Sequence, residues 1–370
     1  MKEAVAHGLS YSYNMRGLRV GTRLDGVLKR VLPPGEYVEI TGPEGLLTIK
    51  DKLRGQVCIF TVSLGPGGMN EEYRRLIAAL YTSPQLLEGV CGGIVIDGPD
   101  ELFTKKIGRE LLFIANRAGC LFPGKPLVEA TGSLRNFNVQ ARLLQSSPAE
   151  AYKTAVEQLV GKAVALTRKP REKFDKQYLL VLHASSRATS NTLLLWKIVR
   201  SHLSRRTEIE EISLRNGELV DCRGCSYETC LHFGEKGDCF YGGLIVDEVY
   251  PAVKKCHALL LICPNYNDAV GANMTAFFNR LTALFRTDFK EFASKRVYAL
   301  VVSGYSGGDI VAEQIADTMS CNKNFILPPH FALVETANEP RSILACPGIK
   351  ERAAAMAVRI EGDFSEPACN

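Results

Sequence analysis

From Tyr178 onward the chain alternates five times between short strand-like runs, most of them apolar, and longer amphipathic ones. No other feature restricts the fold as much. Runs such as Leu179-Leu180-Val181-Leu182 and Ala258-Leu259-Leu260-Leu261-Ile262 have no polar alternate positions, so both faces of each strand must be covered. A parallel sheet between two helix layers provides that cover. The pattern predicts strands over 178–184, 208–214, 258–263, 297–303 and 331–336. Helices are expected over 191–203, 245–255, 271–286, 309–319 and 348–360. Ligands of such sheets bind in the loops that leave the carboxyl ends of the strands.

Five strand–helix units fit the flavodoxin-like, doubly wound order 2-1-3-4-5 for a C-terminal domain spanning 177–370. A smaller α/β domain over 51–167 is expected before it, with apolar strands at Cys58-Ile59-Phe60-Thr61-Val62, Gly93-Ile94-Val95-Ile96 and Pro126-Leu127-Val128. Residues 1–50 read as a separate β-rich segment, with a hairpin turning at Gly42-Pro43-Glu44-Gly45. The charged stretch 168–176 marks the domain boundary. The smaller domain reads as a degenerate copy of the larger. Cys91–Pro99 parallels Cys256–Pro264, Thr131-Gly132 parallels Ser303-Gly304, and the loop 63–70 parallels the loop 185–191.

Charge and composition exclude several functions. The net charge of +5 is too mild, and too evenly spread, for a nucleic-acid partner. No apolar run approaches the roughly 20 residues of a membrane span. Met1-Lys2-Glu3-Ala4-Val5-Ala6-His7 lacks the apolar core of a signal peptide, so a cytoplasmic location is expected. In that reducing compartment the 12 cysteines are thiols, metal ligands or redox groups rather than a disulfide framework. Asp97-Gly98-Pro99-Asp100-Glu101 reads as a solvated acidic loop.

The first strand of the larger domain opens into Ser185-Ser186-Arg187-Ala188-Thr189-Ser190-Asn191-Thr192, and a helix starts at once. Hydroxyl and amide side chains cap such a start, and its free N–H groups attract phosphate. Arg187 adds a fixed charge with a fork of donors. The loop resembles the G-S-P-R-x-x-x-N-T segment of NADPH-dependent FMN reductases and iron–sulfur flavoproteins, with Ser185, Arg187, Asn191 and Thr192 in the matching places and Ser190 beside them. Pro264-Asn265-Tyr266-Asn267 and the following Gly271 resemble that family's loop beside the flavin ring. Ala276-Phe277-Phe278-Asn279-Arg280 resembles its A-F-x-D-R helix, with Asn279 in place of Asp. Ser303-Gly304-Tyr305-Ser306-Gly307-Gly308 resembles its third flavin loop. The resemblance covers about residues 178–320.

What the resemblance implies is an FMN-dependent oxidoreductase. Hydride would pass from NADPH or NADH to bound flavin and on to an acceptor, with a homodimer whose second chain covers the flavin. The flavin carries that chemistry, so no catalytic side chain is expected. Alternatives are an iron–sulfur flavoprotein carrying electrons between redox proteins, and a flavodoxin-like binding module without flavin. Cys222, Cys225, Cys230 and Cys239 lie after the second strand, four thiols within 18 residues. They could hold a [4Fe–4S] cluster, or zinc with His232, or pack as plain thiols near the flavin edge. Their spacing, C-x2-C-x4-C-x8-C, departs from the compact motif of the iron–sulfur flavoproteins.

Overall fold

The computed structural model describes residues 10–15, 23–32, 37–168, 176–185, 187–214 and 219–362. The expected boundary stretch falls outside these apart from its two ends, and so do the N-terminal seven residues, Ser186 and Cys369. The chain divides into two compact units, 1–169 and 170–370.

The second unit holds five strands: β6 (Gln177–His183), β7 (Thr207–Ser213), β8 (Ala258–Pro264), β9 (Arg296–Ser303) and β10 (Ala332–Thr336). All are parallel, in the order β7-β6-β8-β9-β10, which is the expected 2-1-3-4-5. One core layer gathers Val181, Leu260 and Leu300 from the strands, Trp196 and Val199 from the helix Asn191–His202, and Met356 from the helix Ile349–Gly362. β8 and β9 are covered on both faces, as their unbroken apolar sequence requires.

The first unit repeats the plan. Its strands are β1 (Ser10–Met15), β2 (Tyr37–Ile40), β3 (Val57–Ser63), β4 (Cys91–Asp97) and β5 (Leu127–Ala130). They pair in parallel in the order β2-β1-β3-β4-β5, again 2-1-3-4-5. The degenerate-copy reading holds in topology, but its register is off by two strand–helix units for the loop after β3 and by one for β4 and β5. Strand order matches β4 with β9, not with β8, and β3 with β8. The cause is β1, where Ser10-Tyr11-Ser12-Tyr13 has no apolar run, yet Ser12 and Tyr13 are 1% and 0% exposed between β2 and β3.

Residues 1–50 supply β1, β2 and two helices to this sheet rather than a separate β-rich piece. The expected hairpin at Gly42-Pro43 is absent. Gly42–Thr48 is a helix with the proline in its first turn, where a missing N–H costs nothing, and it buries Pro43 and Leu46. Among the described residues no helix is long and apolar enough to cross a membrane.

Beneath the amino ends of the first sheet, Lys162 donates to the Gly124 carbonyl at 2.9 Å. Burial, and then the charge of Lys125, pushes its ammonium down to about 8. The unfolded chain therefore binds the proton more tightly than the folded one, and folding stability rises with pH between about 8 and the ordinary lysine value. Lys162→Met should stabilise the protein at pH 7 and flatten that rise in urea melts taken from pH 7 to 10. An unchanged slope would mean Lys162 titrates normally in the folded state.

Candidate functional site

Four loops meet at the carboxyl edge of the second sheet, beside the point where strand order reverses between β6 and β8. After β6, Ser190 caps the helix by accepting from the Leu193 N–H, and its hydroxyl lies 2.9 Å from that of the buried Thr192. Ser185 accepts a contact from His183 Nδ1 at 3.1 Å, and Arg187 is exposed. The Asn191 amide is committed elsewhere. It donates to the Ala337 and Glu339 carbonyls at 3.0 and 2.9 Å and accepts from the Ile343 N–H at 3.3 Å. It therefore ties the first loop to the one after β10, a scaffolding contact that its place beside a phosphate loop did not suggest.

The second and third loops are joined through Asn265. Its Nδ2 donates to Asp268 Oδ1, Ser303 Oγ and the Ser306 carbonyl at 3.2, 3.1 and 2.8 Å, and its N–H reaches the Val302 carbonyl at 2.9 Å. Its Oδ1 is buried with no donor. Pro264 ends β8 in register with Val302. Asn267 and Asp268 both adopt left-handed backbone, closing a tight turn held by Gln314 on either side. Gly307, at φ +80°, caps the next helix, and a Cβ there would stand 2.0 Å from Asp268 Oδ1. A Cβ on Gly308 would stand 2.6 Å from Val334, and one on Gly304 2.9 Å from Asn338. Tyr266 and Tyr305 remain 63% and 79% exposed, the latter accepting from Asn338 Nδ2 at 2.9 Å. Gln314 and Asn338 escaped the sequence reading because nothing local marks them. Asn338 lies in a fourth loop that topology alone brings near.

Among the described residues, the first unit's corresponding edge is closed on itself. Leu64 N–H bonds to Asp97 O, Gly65 N–H to Met69 O, and Asn70 caps the helix Glu71–Thr82 through the Tyr73 N–H. Phe103 packs so closely on Gly68 that a Cβ there would lie 2.7 Å away. Asp97, expected in a solvated loop, is 8% exposed and bidentate to Arg23 at 2.9 and 3.0 Å. Burial raises its carboxyl pKa against the opposing pull of Arg23. The loop after β1, the topological counterpart of the Ser185–Thr192 loop, lies outside the described residues.

Beyond β7, Cys222, Cys225, Cys230 and Cys239 line a single cavity of about 530 Å³ against the helix Ala272–Thr287. Burial raises the Cys230 thiol, against the pull of Arg286. Among the described residues no three His, Cys, Asp or Glu side chains are gathered as a metal-ligand set, so the sulfurs share a cavity without closing on one point. Two donors there lack acceptors: Arg280 Nε and Arg286 Nη1. The thiols and these orphan donors suit a negatively charged thiolate centre in their chemistry.

Strand order and loops define the second unit as flavodoxin-like. Residues 178–339 match the family model described as NADPH-dependent FMN reductase. That similarity lies within the second unit and spans less than half of the chain. The chain is similar, 26% identical over 139 residues, to an iron–sulfur flavoprotein of Archaeoglobus fulgidus, covering 36% of this chain and 67% of that one. Among solved structures, RosB with a bound intermediate aligns at TM-score 0.42 and 14% identity, over 51% of this chain and 79% of its own. An FMN-dependent NADH-azoreductase from Bacillus anthracis aligns at TM-score 0.35 and 11% identity, over 50% and 99%.

Gly307→Ala should lower stability by more than about 1 kcal/mol, because a left-handed residue gains a Cβ that meets a carboxylate. Chemical denaturation checks this; a neutral change would show that the Asp268 turn moves aside freely.

Proposed function

We propose that the second unit binds one FMN at its carboxyl edge, accepts hydride there from NADPH or NADH, and delivers electrons to an acceptor. One observation carries the reading. The buried Asn265 Oδ1 has no donor among the described residues, and it sits where the second and third loops are locked together. A ring N–H of a bound flavin would satisfy it. The other loops fit the rest of the cofactor. The first-turn N–H groups of Asn191 and Thr192, with Arg187, suit a terminal phosphate. A dinucleotide would need the G-x-G-x-x-G spacing, which the loop lacks.

When bound, the flavin supplies hydride acceptance and electron transfer. The chain's residues bind, orient and shield. Ser185, Arg187, Ser190, Asn191 and Thr192 form and hold the phosphate loop. Pro264, Asn265 and Asn267 place the ring edge, and Ser303, Gly304, Gly307 and Gly308 let backbone come close to it. Tyr266 and Tyr305 offer aromatic faces that exclude water from the ring. Their exposure suits a homodimer in which a second chain completes the cover. No side chain needs to act as acid, base or nucleophile.

A second reading is favoured by the cysteine cavity. Cys222, Cys225, Cys230 and Cys239 would hold an iron–sulfur cluster that supplies one-electron exchange, and the protein would carry electrons between redox partners. Turnover with NAD(P)H alone supports the first reading; reduction only by a protein donor supports the second.

Titrating FMN into cofactor-free protein should give one flavin per chain, since the described loops of the first unit's edge are closed on themselves. Two per chain would refute that assignment. Arg187→Ala should weaken FMN binding by roughly 1.5–3 kcal/mol, the scale of a charge-assisted hydrogen bond. Unchanged affinity would remove Arg187 from the phosphate loop.

A further inference from the structure

Arg280 is a charged side chain only 3% exposed, near the middle of the helix Ala272–Thr287. Its Nη1 donates to the Val220 carbonyl at 3.1 Å and its Nη2 to the Gly242 carbonyl at 2.7 Å. Those carbonyls stand just before Cys222 and just after Cys239, so one guanidinium pins both ends of the cysteine segment. Its third group, Nε, has no acceptor, and among the described residues no carboxylate pairs with it. Six residues along the same helix, Arg286 lies over the Tyr227 ring at 4.4 Å, and its Nη1 is likewise buried without an acceptor. Both arginines line the cavity with the four thiols.

Proteins pair a buried cation or neutralise it, and arginine cannot lose its proton. Two buried, unpaired guanidinium donors on residues that line one cavity favour negative charge inside it. Thiols supply that charge only as thiolates, and a metal core stabilises thiolates. Four thiolates around a [4Fe–4S] core leave a net charge of about −2, which two guanidinium groups balance.

Resting on the second reading above, we propose that Arg280, assisted by Arg286, is the charge-compensating residue of an iron–sulfur centre held by Cys222, Cys225, Cys230 and Cys239. Arg280 acts through the centre's sulfurs and is a positioning residue. Its Nη groups set the loop, and its Nε and its charge set how tightly iron is held and at what potential.

The test loads full-length protein anaerobically with ferrous iron and sulfide, then measures iron and sulfide content, iron loss to a chelator and midpoint potential. FMN is titrated on the same samples. Wild type should take up iron and sulfide together. Arg280→Met should lose iron to chelator about tenfold more readily and shift the potential negative, while FMN affinity stays as in wild type. Arg280→Lys, which restores the charge but not Nε, should recover most of the potential and less of the retention. Iron held by Arg280→Met at wild-type retention and potential overturns the proposal. So does joint loss of iron and FMN, which would make Arg280 a loop clamp alone. Should Arg280→Met fail to fold, Arg286→Met carries the same test with a smaller shift of the same sign. A wild type that takes up no iron overturns both this proposal and the cluster reading, while flavin binding is judged separately by its own titration.

Discussion

β6 is hydrogen-bonded on both sides, to β7 and to β8, and Leu179 through His183 along it are all buried. A strand so placed cannot present side chains to a ligand from its length. Only its end is available, and that end opens where the chain leaves β6 for one side of the sheet and β8 for the other. The Ser185–Thr192 loop therefore has to work through backbone N–H groups and short polar side chains. Arg187 is the one long charged group it offers. The same reasoning places Asn265 and Ser303, which follow or end neighbouring strands and are brought within 3.1 Å by β8–β9 pairing.

The larger unit was legible because β6, β8 and β9 carry unbroken apolar runs, while the polar β7 lies at the sheet edge, where one side needs no cover. The alternation gave the number of strands, and the right-handed crossover rule left few orders for them. The smaller unit was harder. Its first strand is built of serine and tyrosine, and a count that begins at the first apolar run begins at β3. The parallel for the loop after β3 then slipped by two units, and those for β4 and β5 by one. The hairpin failed for a related reason. Gly42-Pro43 is compatible with a turn and with a helix start, and the choice depends on Leu46, whose burial below the sheet is a tertiary fact.

Within the candidate site, legibility followed sequence distance. Glycines with positive φ and caps next to strands announce themselves locally, as Ser190 and Gly307 do. Contacts between loops do not. Asn191 looks like a phosphate ligand in a linear reading, yet its amide reaches residues 146 and 148 positions away. An amide that fixes the fourth loop also gives the first loop its shape, so the side chain holds the frame of the proposed phosphate site.

Two sheets of the same order sit in one chain, and their edges differ in what fills them. At the second unit's edge the Asn265 carbonyl oxygen is left without a donor and Arg187 without a buried partner. At the first unit's edge, Asp97 and Arg23 answer each other, Asn70 caps the helix end, and Phe103 covers Gly68. A fold that presents helix starts and strand ends at one edge creates the same anion-attracting field in both copies. Among the described residues, the first copy answers it with its own carboxylate and caps, and in the proposed reading the second leaves it for a ligand. Common topology thus fixes where a cofactor could bind, and a handful of polar side chains decides whether the place is already taken.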